Sequence, residues 1–235
     1  YYPEWGNVDS WGGPLDGSIS IIDVFHFDGE PDGIMPLVAQ PASNVKDLFY
    51  QNGFSNINNI AISGQNEKSS VRFSLGNTLL NGVIPNDKVK KLNFTLRATS
   101  QITEKLSVDG RISYNRTEGS QRPITGYSDN NPVWNLAIMA RFTPLDFIKE
   151  YYEKTKSFAR FPGENYNPWY IVNELKNNDT RDRFIGYMSA TFSFNDWLSL
   201  TAKTSMDTYT NVRKNTWPVG ARGSDNSRGR IQQSI

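Results

Sequence analysis

The feature that most constrains the fold of this chain is an alternation of apolar and polar residues with a period of two. Within 69–77, for example, Val71, Phe73 and Leu75 alternate with arginine and serine. Six segments show this pattern, four of them clearly and the first and fifth more weakly: 57–64, 69–77, 92–102, 106–115, 183–194 and 197–209. Successive side chains of a β-strand point to opposite faces of a sheet. The segments are therefore predicted strands, and the predicted fold class is all-β.

Strands with one apolar and one polar face fit two kinds of protein. In a soluble β-sandwich the apolar face is the core and the polar face is solvated. In a transmembrane β-barrel the apolar face contacts lipid and the polar face lines the lumen. Soluble sandwiches are the commoner class, and a soluble carbohydrate-binding sandwich stays open as the alternative. No apolar run approaches the roughly 18 residues of a transmembrane helix, which leaves a membrane barrel possible.

The lengths of the predicted connections favour the barrel. Short connections alternate with long ones along the chain: 65–68, then 78–91, 103–105, 117–182 and 195–196. In an up-and-down sheet this order places all short turns at one end and all long loops at the other. Outer-membrane barrels have that asymmetry, whereas Greek-key sandwiches have no reason for it. Six strands are too few to close a membrane barrel, for which about eight is the minimum, so the chain is predicted to be part of a larger barrel.

Aromatic residues near the ends of the predicted strands give this interpretation modest support. They are Tyr114, Tyr187, Trp197 and Tyr209. A membrane barrel places a girdle of aromatic side chains at each interface between lipid and water. Aromatic residues are also common in strands of every kind, so the observation is weak by itself.

Five segments together resemble a known family. They read SWGGPLDG (10–17), NVKDLFYQNGF (44–54), NINNIAISGQNEKSSVRFSLGN (56–77), NGVIPNDKVKKLNFTLRATSQITEKLSVDGRISYN (81–115) and NPWYIVNELKNNDTRDRFIGYMSATFSFNDWLSLTAKTSMD (167–207). Their order and spacing resemble the barrel region of the SusC/RagA family of TonB-dependent outer-membrane transporters from the Bacteroidetes. The family's N-terminal extension, TonB box, plug domain and final strands have no counterpart here. The resemblance therefore implies a fragment.

The resemblance implies a large antiparallel transmembrane β-barrel of roughly 22 strands, of which six are visible here together with long outer loops. The expected organisation is an outer loop region (1–56), four barrel strands (57–116), a long extracellular loop (117–182), two barrel strands (183–209) and the start of the next outer loop (210–235). The plug domain is absent from this chain in that scheme.

The function that the resemblance implies is nutrient import across the outer membrane. A SusD-like surface lipoprotein would cover the outer mouth of the barrel as a lid. The TonB–ExbB–ExbD complex would supply energy through the missing N-terminal region. The substrate would be an oligosaccharide or a peptide, and the motifs do not decide between the two. Membrane lipid would surround the barrel.

The long segment 117–182 is rich in aromatic residues, and loops of this length usually have a function. The predicted substrate-binding residues within it are Tyr127, Trp134, Trp169 and Tyr170, since sugar rings stack on aromatic faces. The competing interpretation is that these rings pack the loop. A short helix is predicted at 145–156, after Thr143 and Pro144. The charged residues predicted to line the lumen are Arg72, Arg97, Asp109 and Arg111, which suit either substrate class or pair with one another or with the plug.

Composition excludes several other functions. The chain has no cysteine and a single histidine, His26, so disulfides, thiolate zinc sites and multi-histidine metal sites are not expected. Serine, histidine and aspartate show no spacing that suggests a catalytic triad, and no enzyme activity, metal or cofactor is predicted. Lysine plus arginine total 25 against 24 acidic residues. This balance gives no reason to expect nucleic acid as a partner.

Overall fold

The computed structural model describes residues 14–23, 25, 27, 29–30, 33–40, 43–158, 166–221 and 228–235. His26 and the first half of the segment 10–17 lie outside the described residues. The elements in chain order are β1 (Asp16–Asp23), β2 (Gly33–Val38), α1 (Ser43–Leu48), β3 (Phe54–Gln65), β4 (Ser69–Asn81), β5 (Lys88–Gln101), β6 (Leu106–Ser120), α2 (Pro132–Ile138), α3 (Leu145–Thr155), α4 (Pro168–Glu174), β7 (Lys176–Asn195), β8 (Leu198–Val219) and β9 (Arg228–Ser234).

The main sheet is an antiparallel meander of seven strands, β3 to β9, in which each strand pairs with the next one in the chain. β1 and β2 form a separate antiparallel pair. The predicted all-β class and the predicted up-and-down order are confirmed. Within the described residues the main sheet is open, because its edge strands β3 and β9 do not pair with each other.

Three tight turns lie at one end of the main sheet, which we call the short-turn end. Each is closed by a side chain that accepts backbone hydrogen bonds, as expected of asparagine and threonine in turns. Asn66 Oδ1 accepts from Ser69 N at 2.7 Å, Thr103 Oγ1 from Leu106 N at 3.0 Å, and Asn195 Oδ1 from Leu198 N at 2.9 Å. The connections β4–β5 and β6–β7 lie at the opposite end, which we call the long-loop end.

The strands extend further toward the long-loop end than their hydrophobic pattern predicts. β4 ends at Asn81 and β5 begins at Lys88, so the connection predicted at 78–91 contains only 82–87. β7 begins at Lys176 rather than at 183, and β8 continues to Val219 rather than to 209. In these extensions both faces carry mostly polar residues. The backbone ladder therefore continues where the apolar alternation has stopped.

Two predicted loop regions contain regular structure. The segment 1–56 was expected to be irregular, yet its described part includes β1, β2 and α1. The segment 210–235 was expected to begin an outer loop, yet it contains the end of β8 and all of β9. Exposed, polar strands such as β9 have little apolar alternation, and pairing with β8 supplies the backbone hydrogen bonds.

The hydrophobic core lies outside the main sheet, in a helical cluster that we define as α1 to α4 with the chain around them. Its buried members come from segments before β3 and after β6: Phe25, Phe49, Leu136, Leu145, Ile148, Tyr152, Tyr166, Trp169, Tyr170, Ile171 and Val172. The rings of Phe49 and Trp169 meet edge to face at 5.4 Å between centroids. One core thus joins the chain just before β3 to the long connection between β6 and β7.

Candidate functional site

One face of the main sheet, here called the apolar face, carries a continuous band of uncharged side chains. Strand pairing brings together Ile60, Ile62, Val71, Phe73, Leu75, Leu92, Phe94, Leu96, Ala98, Leu106, Val108, Ile112, Tyr114, Phe184, Met188, Ala190, Phe192, Leu200, Ala202 and Met206. Many remain exposed, with Ile62 at 67% and Met188 at 62% of full exposure. The band is therefore not covered by the described part of the chain.

The charged strand residues of the apolar face lie beyond this band, toward the long-loop end. Arg116 Nε lies 2.8 Å from Glu118 Oε1, and its Nη1 lies 3.5 Å from Asp182 Oδ1. Tyr114 marks the border, since its ring contacts Phe184 at 4.7 Å and its hydroxyl donates to Asp182. On β6 and β7, the side chains of this face thus change from apolar to charged between one row of residues and the next.

The predicted aromatic girdle is only partly present on this face. Tyr114 lies at the border of the apolar band that faces the long-loop end, and Trp197 lies in the turn at the short-turn end. Tyr187 and Tyr209 instead lie in the middle of long strands on the opposite face. The prediction was wrong for these two residues because their strands are longer than the apolar pattern suggests.

The opposite face, here called the polar face, contains all four residues predicted to line a lumen. Arg72, Arg97 and Arg111 are direct cross-strand neighbours in one row. Asp109 lies in the adjacent row, and its Oδ2 is 3.1 Å from Arg97 Nη2. Arg111 Nε donates to Ser113 Oγ at 3.3 Å. The structure brings the four predicted residues together on one face, and their position in a lumen stays a prediction.

Further charges and rings continue along the polar face on β7 and β8. Arg183 Nε donates to Asp207 Oδ1 at 2.8 Å, and Lys203 Nζ lies 4.7 Å from the centre of the Tyr187 ring. Arg181 lies over the Tyr209 ring at 4.6 Å. Arg183, Arg181 and Tyr187 were not predicted as site residues. All three have odd residue numbers in β7, and the period-two alternation of a strand places them together on the polar face.

A polar groove lies at the short-turn end of the polar face and has a volume of about 440 Å³. Its lining includes residues of two neighbouring rows: Ser70, Thr99, Gln101, Ser107, Asp109, Ser189 and Thr191. Two of these hydroxyls, Ser70 Oγ and Thr99 Oγ1, are 2.6 Å apart. The lining also includes the charged residues Glu67 and Lys68 of the β3–β4 turn. The groove thus offers mainly hydroxyl and amide groups, and Asp109, which pairs with Arg97, also lines it.

The helical cluster separates the four predicted substrate-binding aromatics into two pairs. Trp169 and Tyr170 are 6% and 4% exposed and belong to the core. Their burial argues against the predicted contact with a ligand and favours the competing interpretation, loop packing. Tyr127 is 87% exposed, and its ring lies 4.8 Å from that of the half-buried Trp134. Tyr127 and Trp134 therefore form a surface aromatic pair.

The predicted helix at 145–156 is confirmed as α3, whereas α2 and α4 were missed. Both missed helices begin with an Asn-Pro pair, which is a helix-start signal. Asn131 Oδ1 accepts from Val133 N at 3.0 Å, and Asn167 Oδ1 accepts from Trp169 N at 3.0 Å. The fully buried Asn167 also donates through Nδ2 to Ile148 O at 2.9 Å. This one side chain starts α4 and fixes it against α3.

Side-chain amides hold the helical cluster to the long-loop end of the sheet. Asn86 Nδ2 in the β4–β5 connection donates to Val172 O at 2.9 Å, and Gln121 Nε2 donates to the same carbonyl at 3.1 Å. Asn177 Nδ2 on β7 donates to Arg122 O at 2.7 Å. The Val172 carbonyl near the end of α4 thus accepts from two neighbouring connections, which orients the cluster relative to the strands.

Two buried tyrosines of the cluster have perturbed acidities. Burial raises the pKa of the Tyr170 phenol to about 12, and the charges of Tyr166 and Glu174 act in the same direction. Burial is also the main cause of the raised pKa of Tyr152, whose hydroxyl donates to Glu174 Oε1 at 2.8 Å. Both phenols therefore stay neutral to more alkaline pH than an exposed tyrosine does.

The comparisons with known proteins give no family assignment. No family model matches the chain. No curated protein matches it either. Among the helices of the described residues, none is both long enough and apolar enough to span a membrane. The functional conclusion therefore rests on the two faces of the sheet, the helical cluster and the sequence resemblance.

Proposed function

We propose that this chain is part of the barrel of an outer-membrane, TonB-dependent nutrient importer of the SusC type. The observation that carries the proposal is the open antiparallel meander with an exposed, uncharged apolar face and a charged polar face. Contiguous apolar surface of this extent marks a binding or membrane surface rather than a solvated one. The apolar face suits contact with lipid, and the polar face suits contact with water.

The height of the apolar band supports this proposal. From Leu106 to Tyr114 on β6 the band extends for roughly 27 Å along the strand. A tilt of about 40° reduces that length to roughly 21 Å along the barrel axis. Membrane barrels have an apolar band of roughly 25 Å. The unpaired edges β3 and β9 would be costly in lipid, so further strands of the complete protein close the barrel of roughly 22 strands.

In this proposal the helical cluster lies outside the cell, because the long loops of outer-membrane barrels face outward. The pair Tyr127–Trp134 contacts an oligosaccharide or peptide held beneath a SusD-like lipoprotein. TonB, ExbB and ExbD drive import through an N-terminal region of the complete protein. The alternative, a soluble carbohydrate-binding sandwich, needs a second sheet against the apolar face. The described residues supply none there, since Phe25 and Met35 of the β1–β2 region pack in the helical cluster.

Cysteine labelling tests the orientation of the sheet, since no native cysteine lies in this part of the protein. Tyr127→Cys, Ser205→Cys and Met206→Cys are introduced one at a time into the complete protein in cells. An impermeant maleimide added from outside should label Tyr127→Cys. A water-soluble reagent should label Ser205→Cys in isolated membranes, whereas Met206→Cys should react only with a lipid-soluble reagent. Rapid labelling of Met206→Cys in water, on a monomer that needs no detergent, would support the sandwich.

Transport itself is tested at the surface aromatic pair. Tyr127→Ala and Trp134→Ala should lower whole-cell uptake of the native substrate while leaving the amount of inserted barrel unchanged. Val133→Ala, an exposed neighbour on α2, is the matched control. Point substitutions are preferable to removal of the loop, because its loss would uncover Phe25 and Phe49. Normal uptake by both aromatic variants would remove the pair from the proposed function.

A further inference from the structure

A row of three arginines on the polar face is an unusual arrangement for neighbouring strands. Arg72, Arg97 and Arg111 face one another directly across β4, β5 and β6. Their Cα atoms are therefore spaced by roughly 4.5–5.5 Å, and like charges in such pairs repel. The row continues on β7 with Tyr187. A repulsive row of this kind is stable when anions lie against it.

The described residues provide one carboxylate for this row. Asp109 pairs with Arg97, and Lys203 lies in the same row as Asp109. Neither Arg72 nor Arg111 has a carboxylate partner within the described part of the chain. These two rows thus contain four cations and one anion, and the guanidinium groups of Arg72 and Arg111 are available to carboxylates from elsewhere.

The polar groove borders this row and determines what kind of anion fits. Ser70, Thr99 and Asp109 lie in the row next to the arginines, on the side of the short-turn end, and line the groove. Its volume of about 440 Å³ is within the range of small-ligand sites. Hydroxyl and amide linings match the hydroxyl groups of sugars, whereas apolar peptide side chains would find little to contact. Guanidinium groups bind carboxylates through two parallel hydrogen bonds.

We propose that the arginine row and the polar groove together bind an acidic oligosaccharide of the uronic-acid type. Its carboxylates pair with Arg72 and Arg111, and its hydroxyl groups hydrogen-bond to the serine and threonine residues of the groove. This inference rests on the proposed import function and narrows its substrate class, since a ligand reaches this face through the lumen of the barrel.

Calorimetric titration of the complete protein in detergent tests the inference, with trigalacturonate as the probe. We expect binding that weakens about tenfold in Arg72→Gln and in Arg111→Gln, since each variant loses one charge-assisted contact. Lys214→Gln removes a positive charge from the opposite face of the sheet and should leave the affinity unchanged. Neutral maltotriose and triglutamate should bind at least tenfold more weakly than trigalacturonate.

Three results would overturn the inference. They are absence of trigalacturonate binding, affinity that is the same in the arginine variants as in Lys214→Gln, and triglutamate binding as tight as trigalacturonate. The last result would mean that the face recognises charge alone. Each variant is also checked for membrane insertion and for surface labelling at Tyr127→Cys. Normal insertion with failed binding refutes only the site, whereas failed insertion of the unmodified protein refutes the proposed function.

Discussion

A positive charge on the apolar face provides the sharpest test of how this sheet meets its surroundings. Met206 is 58% exposed and lies in the row that also contains Leu96 and Ile112, near the middle of the apolar band. At the midplane of a bilayer, arginine on the lipid face costs roughly 2–4 kcal/mol. That cost lowers the folding equilibrium by roughly 30- to 700-fold. In water the same change at an exposed position would cost less than about 0.5 kcal/mol.

Ser205→Arg is the matched control for Met206→Arg. Ser205 is the preceding residue on β8, lies on the polar face between Lys203 and Asp207, and has no side-chain hydrogen bond among those described. Arginine there faces water in a barrel and should change the free energy of unfolding by less than about 0.5 kcal/mol.

The assay is a urea titration of the complete protein in lipid vesicles, followed by tryptophan fluorescence. Met206→Arg should unfold at clearly lower urea than Ser205→Arg. Equal destabilisation by the two variants, or a Met206→Arg variant as stable as the unmodified protein in lipid, would refute the assignment of the apolar face to lipid.

Three further predictions concern the helical cluster. Trp169→Ala should destabilise it by about 3–5 kcal/mol, measured by thermal melting, because a buried ring is lost, whereas Tyr127→Ala should leave the melting temperature unchanged. Asn167→Ala should cost about 1–3 kcal/mol, measured by thermal melting, because it leaves Ile148 O without its donor; unchanged stability would refute the capping role. Tyr170 ionises near pH 10 when unfolded but at about 12 when folded, so stability is intact below pH 10 and falls as pH rises toward 12; tyrosinate absorbance and circular dichroism should change together, and Tyr152→Phe should reduce the effect.

The sheet was predictable from sequence where apolar residues alternate, and only there. The segment 92–102 has its leucines and phenylalanine on one face, and all of it except Ile102 lies within β5 as expected. The extension of β8 beyond Tyr209 has charged and polar residues on both faces, so periodicity contains no signal for it. Pairing with β7 and β9 keeps that extension in the sheet, and such pairing depends on residues distant in sequence.

The sequence predicted on which face of the sheet a candidate site residue lies, but it did not predict its neighbours or its burial. Alternation alone places Arg72, Arg97 and Arg111 on the polar face, but their common row follows from the strand register. Trp169 and Tyr127 look alike in the sequence, as aromatic residues of one long polar segment. Only the fold separates them, since Phe49 buries the first and no described side chain covers the second to a comparable extent.

The contact between Phe49 and Trp169 has a consequence for the order in which the protein folds. The two rings lie on opposite sides of β3, β4, β5 and β6 in the chain, and pairing of these four strands brings both rings to the long-loop end. Contacts of such long sequence separation carry a high loop-closure cost and form late. The helical cluster is therefore expected to mature after the hairpins, and refolding followed by tryptophan fluorescence should show a slow final phase that Phe49→Ala removes.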